Sequence, residues 1–187
     1  MAFRRATSAG TLFAFLAALT GSSVVVRAQR GLEYEVKAAY LYNIVSFVTW
    51  PPDAFGGPSD PIRLCVFEKD PFGPLLDNTI RGAMAEQRPM VAERIGSIEM
   101  ISRCHLVFVP HDSADWTDQV RRAASQRPIL TVGESDDFLR HGGMVAFVIE
   151  GGRVRFDVNV QTATSQGLKM SSRLLQVARR IYGKGPS

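Results

Sequence analysis

The sequence predicts an α/β fold: one layered domain with a mixed, mostly parallel sheet, helices on both faces, and a C-terminal β-hairpin plus helix. Three observations predict it. Short β-rich apolar runs such as "IRLCVF" and "HLVFV" alternate with stretches of helical period. A late pair of β-rich arms flanks Gly151-Gly152, a dipeptide suited to a tight turn with positive φ. The closing segment "SSRLLQVARRIY" again has helical spacing.

The elements follow in order. Residues 1–28 carry Arg4 and Arg5, then an acid-free stretch with an apolar heart from Leu12 to Leu19, closing on Val26-Arg27-Ala28. This is the pattern of a signal peptide cleaved after Ala28, leaving a single domain over residues 29–187. Thr20, Gly21, Ser22 and Ser23 interrupt the run, which argues against a membrane-spanning helix of ~20 apolar residues. A helix is predicted over residues 32–48, apolar nearly all round, with Val36, Tyr40, Asn43 and Phe47 on one face and Leu41, Val45 and Val48 on another. Pro51-Pro52 stop it.

"PIRLCVFEKD" suits a strand buried on both faces, and Asp70-Pro71 is expected to cap and open a helix reaching Ile80. "RPMVAERI" and "CHLVFVP" read as further strands, and a helix capped by Asp112 or Ser113 runs to about Ser125. "RPILTVGE" is a fourth strand, "DDFLRHGG" a single helical turn, and "GMVAFVIEGGRVRFDVNV" the hairpin. In the closing helix Met170, Leu174, Val177 and Ile181 face inward, and Arg173, Arg179 and Arg180 outward.

Charge bounds the function. The chain has 22 basic and 18 acidic side chains, and without the leader the balance is 19 against 18 over 159 residues. Nucleic acid is therefore not the expected partner, because such binding rests on cations that neutralise phosphates.

Chemical motifs are sparse. Cys104 and His105 are neighbours, but successive side chains of a strand point to opposite faces, so they cannot readily share one metal or one proton. The three histidines and two cysteines lack the close spacing of a zinc site, and no phosphate-binding glycine motif is present. No catalytic residue, metal or cofactor is expected. An exported chain with cysteines in neighbouring core strands is expected to bridge Cys65 to Cys104. A redox switch at the same pair and a catalytic thiol remain alternatives.

Several separated stretches together resemble one family. They are "YEVKAAYLYNIVSFVTWP" at residues 34–51, "CHLVFV", "ILTVGESDDFLRHGGMVAFVIEGGRVRFDVNV" and "GLKMSSRLLQVAR". Their order and distances resemble the YfiR family, also called the DUF4154 domain, over about residues 32–182. The resemblance implies a non-enzymatic periplasmic protein that represses an inner-membrane diguanylate cyclase of the YfiN type through its periplasmic sensory domain. That lowers cyclic-di-GMP. It also implies a peptidoglycan-associated outer-membrane lipoprotein that can sequester the repressor, a homodimer, and a disulfide at the family's core cysteine positions, here Cys65 and Cys104. Some members carry a second cysteine pair, which this sequence lacks. Partner contact is expected in the C-terminal signature, at Gly167, Leu168, Lys169, Ser171 and Arg173. The alternative function is a periplasmic small-ligand or sensory module, with "TVGESDDF" lining a crevice at the strand ends.

Overall fold

A computed structural model of the chain describes residues 18–110 and 116–183. Most of the expected leader, and the caps proposed at Asp112 and Ser113, lie outside the described residues. The chain divides into two units, Met1–Leu32 and Glu33–Ser187. The described part of the first is helical, the beginning of α1 (Ala18–Ser46). Among the described residues no helix is long and apolar enough to cross a membrane.

The second unit is built on an eight-stranded sheet. Its strands are β2 (Ile62–Phe67), β3 (Met84–Ala85), β4 (Arg88–Ile95), β5 (Leu106–Phe108), β6 (Leu130–Gly133), β7 (Val145–Glu150), β8 (Arg153–Asn159) and β10 (Arg180–Tyr182). Their spatial order is β10-β8-β7-β6-β5-β2-β4-β3. Only the β7/β8 hairpin and the β3/β4 pair are antiparallel. β1 (Val48–Thr49) and β9 (Lys169–Met170) form a separate two-stranded pair.

Alternation along the central strands gives the sheet two apolar faces. Leu64, Val66, Leu106, Phe108, Leu130 and Val132 join Leu41, Ile44 and Val45 of α1 in one core. Cys65, Phe67 and Val107 join Val120 and Ala124 of α3 (Thr117–Ala124), Ile101 and Phe138 in the other. Helix α1 differs from its all-round apolar reading. Ala38, Leu41, Ile44 and Val45 are buried, but Val36 and Asn43 are exposed, so one stripe packs. It also ends at Ser46, which frees Val48 to enter β1.

Helix α2 (Pro74–Ile80) begins later than its sequence suggests. The Asp70 carboxylate accepts from the Phe72 N–H at 2.8 Å, a local turn that competes with helix, and the first helical proline is Pro74, not Pro71. In the hairpin, Gly151 and Gly152 have φ of 56° and 74°, the positive values that a two-residue turn needs. α4 (Asp136–Arg140) inserts Phe138 between Gly133 and Gly143. A Cβ on either glycine would sit 2.2–2.3 Å from that ring, so these two positions are set by close packing rather than by turn geometry.

The largest departure lies at the C terminus. After α5 (Val160–Ser165) and α6 (Ser172–Val177) the chain leaves helix, and β10 runs parallel to β8. Val177 and Ile181, expected inside, are 61% and 47% exposed. Arg179, expected outside, turns in to Asp157. Its Nε and Nη2 donate to the two carboxylate oxygens at 2.8 and 2.6 Å. Asp157 is fully buried, so a continued helix that carried Arg179 to solvent would strand that charge. This non-local requirement overrides the helical period.

Removing Arg179 should therefore cost far more than removing its neighbour. Arg179→Met is expected to lower unfolding stability by about 3 kcal/mol or more, whereas exposed Arg180→Met should stay within about 0.5 kcal/mol. Urea denaturation of both variants checks this.

Candidate functional site

The Cys104-His105 pair separates as strand geometry requires. Cys104 forms a disulfide with Cys65, with Cα atoms 5.9 Å apart and a sequence separation of 39 residues. Its sulfur is thus neither a nucleophile nor a metal ligand. His105 points the other way. Its ring stacks on Phe55 at 4.6 Å, and the Arg88 guanidinium lies over the same phenyl ring, 3.7 Å from its centroid. The Arg63 backbone N–H donates to His105 Nδ1 at 3.1 Å, which leaves Nε2 to donate to the Ala54 carbonyl at 3.3 Å. Both ring nitrogens are thereby occupied in the neutral imidazole.

His105 and Ala54 edge an open cavity of about 370 Å³, whose walls also include Asp53, Asp60, Arg63, Arg103 and Arg127. It lies at the amino ends of β2, β5 and β6. The crevice expected from "TVGESDDF" would lie at the opposite end, where Glu134 follows β6. At that end Glu134 is held by residues of α1. Lys37 Nζ contacts Glu134 Oε1 at 2.6 Å, Tyr34 Oη donates to Oε2 at 3.2 Å, and Lys37 also pairs with Glu33. The Lys37 and Glu134 side chains are 5% and 4% exposed, so this ion pair fastens α1 to the sheet from inside. Among the described residues no group of three or more His, Cys, Asp or Glu side chains could hold a metal ion.

The five signature residues divide by exposure. Leu168 is fully buried and belongs to the core between α5 and β9. Ser171 caps α6, its Oγ accepting from the Leu174 N–H at 3.3 Å, while its own N–H donates to the Phe47 carbonyl. Gly167, Lys169 and Arg173 lie on the surface. β9 pairs with β1, so Lys169 sits opposite Thr49, beside the end of α1. Arg179 and Asp157 were not among the candidates, because nothing local marks an arginine 22 residues downstream as the partner of an acid in the hairpin.

Together these features define a class: a disulfide-bonded, layered α/β domain whose buried polar groups are occupied with one another. A family model described as DUF4154: YfiR/HmsC-like matches residues 34–179, and the chain belongs to that family, known as regulatory rather than catalytic. Two solved structures share the fold. One is a conserved domain protein from Vibrio cholerae, with a TM-score of 0.53 and 10% identity, covering 64% of this chain and 54% of its own. The other is the ABC domain in complex with L-Trp from Streptococcus pneumonia, with a TM-score of 0.55 and 11% identity, covering 77% of this chain and 60% of its own. The likeness at these identities is one of fold, and this chain spans little more than half the length of either.

His105 gives the site a pH dependence of defined sign. Burial pushes its pKa below the ordinary 6.5, the Ala54 carbonyl opposes this, and the charges of Arg63 and Arg88 add to the fall. The folded protein therefore takes up the proton less readily than the unfolded chain does. The His105 contribution is complete above about pH 6.5 and is lost as pH falls through the folded value. Urea unfolding from about pH 7 to about pH 5 is expected to show a steeper loss for the native protein than for His105→Gln, which cannot protonate. Equal losses would contradict it.

Proposed function

We propose that this chain is a periplasmic repressor that binds the periplasmic sensory domain of an inner-membrane diguanylate cyclase and holds it in its inactive state. The family match over residues 34–179 carries the reading. The disulfide supports the location, since such bonds persist in oxidising compartments, and so does the basic, acid-free leader pattern. A peptidoglycan-associated outer-membrane lipoprotein is the proposed sequestering partner, and a homodimer the proposed assembly.

Repression of this kind requires only differential affinity. A ligand that binds one state of a sensor more tightly shifts the equilibrium by that difference, and a change from 1:99 to 99:1 needs about a 10⁴-fold preference. Shape and charge supply it without a reacting group. Gly167, Lys169 and Arg173 are the proposed contacts from the C-terminal signature, because they are the signature residues available at the surface.

The cavity beside His105 favours a second reading, a small-ligand sensory module, since about 370 Å³ lies within the usual range for ligand sites. A metabolite that raised stability by ~2.7 kcal/mol at 100 times its dissociation constant, without cyclase regulation, would favour it.

Deletion of the gene tests the first reading. Cytoplasmic cyclic-di-GMP is expected to rise, and the exported chain to restore the low level where a chain lacking residues 1–28 does not. An unchanged level on deletion would overturn the reading.

A further inference from the structure

The sheet carries an open basic face that the signature residues do not include. Register sets its composition. β7 and β8 pair Glu150 with Arg153, Val148 with Arg155 and Ala146 with Asp157, so Arg153, Arg155 and Asp157 share one face. β10 sets Arg180 beside Asp157 in parallel register, which puts Arg180 and Tyr182 on that face as well. The opposite face carries Val154, Phe156 and Val158, all buried in the core. On this face Ala146 and Asp157 are buried, but Arg153, Arg155, Arg180 and Tyr182 around them are exposed and Val148 is half-buried, so the face is open along the hairpin end and the β10 edge.

Charge on the face is unbalanced. Arg179 engages both nearby acids, Asp157 at 2.6 Å and Glu150 at 3.5 Å. Arg153, Arg155 and Arg180 make no ion pair with any described residue. Three guanidinium groups with no ion-pair partner among the described residues therefore stand on strands of one face, in a protein whose residues after the leader are nearly neutral overall. Arginine and tyrosine are also the residues that carry binding energy at protein interfaces.

We infer that this face, Arg153, Arg155, Arg180 and Tyr182, is a docking surface for an acidic protein segment, and that in the repressor reading it receives a carboxylate-rich patch of the membrane sensor. The inference rests on that reading for the partner's identity and on register and charge for the surface. Planar guanidinium forks held on strands match carboxylates in bidentate geometry. A second copy is disfavoured, because the face would meet its own charge. A lipid surface is disfavoured too, since anionic membranes are held by clusters of about four to eight cations, more than this face presents.

The test places a photo-crosslinking residue at Arg155 of the full chain in its native cells, with parallel probes at Met84 on the opposite edge of the sheet and at Lys169. The expected result is an adduct from position 155 to an acidic segment in the periplasmic part of an inner-membrane protein. The Met84 probe should give no such adduct. Arg153→Glu with Arg180→Glu should cut its yield by about tenfold or more, while Arg153→Lys with Arg180→Lys should retain it. The docking surface is overturned by no adduct at 155, by an adduct to lipid or to a second copy, or by a yield that charge reversal leaves unchanged. An adduct from Lys169 alone would overturn this face and leave the repressor reading intact. Unchanged cyclic-di-GMP on deletion, with an acidic adduct still formed at 155, would overturn the repressor reading and leave the face intact.

Discussion

The covalent tie between Cys65 and Cys104 is the constraint on which the rest of the molecule depends. It joins β2 to the residue that leads into β5, at the middle of the eight-stranded sheet. A closed loop of this length contributes on the order of 4 kcal/mol in the chain-entropy model, a large share of the ~5–15 kcal/mol typical of a small domain. It fixes where Cys104 ends and β5 begins, and so decides that the His105 imidazole emerges on the other side, against Phe55. One bond thus supports the fold and withdraws both sulfurs from chemistry.

The polar interior follows the same logic. Lys37 with Glu134 and Arg179 with Asp157 are ion pairs with little or no access to water, each tying a terminal element to the sheet. Among the described residues no buried side-chain nitrogen or oxygen lacks a hydrogen-bond partner. Such pairs give modest net stability but make wrong arrangements costly, because a lone buried charge is severely penalised. They define where α1 and β10 must lie, and β10 in turn presents Arg180 and Tyr182. The outward-facing chemistry is set by bonds that are themselves hidden.

Legibility in the sequence tracks how local each determinant is. The hairpin could be read because Gly151-Gly152 and its flanking arms act within a few residues. Strand β2 could be read from its β-rich apolar residues, interrupted only by Arg63, and the divergence of Cys104 from His105 from strand geometry alone. The closing helix could not be read to its end, since residues 178–182 obey Asp157, far back in the chain, and not their own period. Likewise nothing local in the sequence shows that the Phe138 ring packs against Gly133 and Gly143, leaving no room for a Cβ at either. The surface of the candidate site was partly hidden for a related reason. Leu168 and Lys169 are adjacent in sequence, yet one is core and the other solvent-facing, and only the β1/β9 pairing shows which.

The central claim is that a chain of this family regulates by contact alone, from the outer side of the inner membrane. The most direct measurement adds the purified protein, disulfide intact and without residues 1–28, to spheroplasts of a strain that lacks it, and follows intracellular cyclic-di-GMP. The account predicts a saturable fall that reverses when the protein is washed away. A level that stays constant at every concentration of folded protein would contradict it.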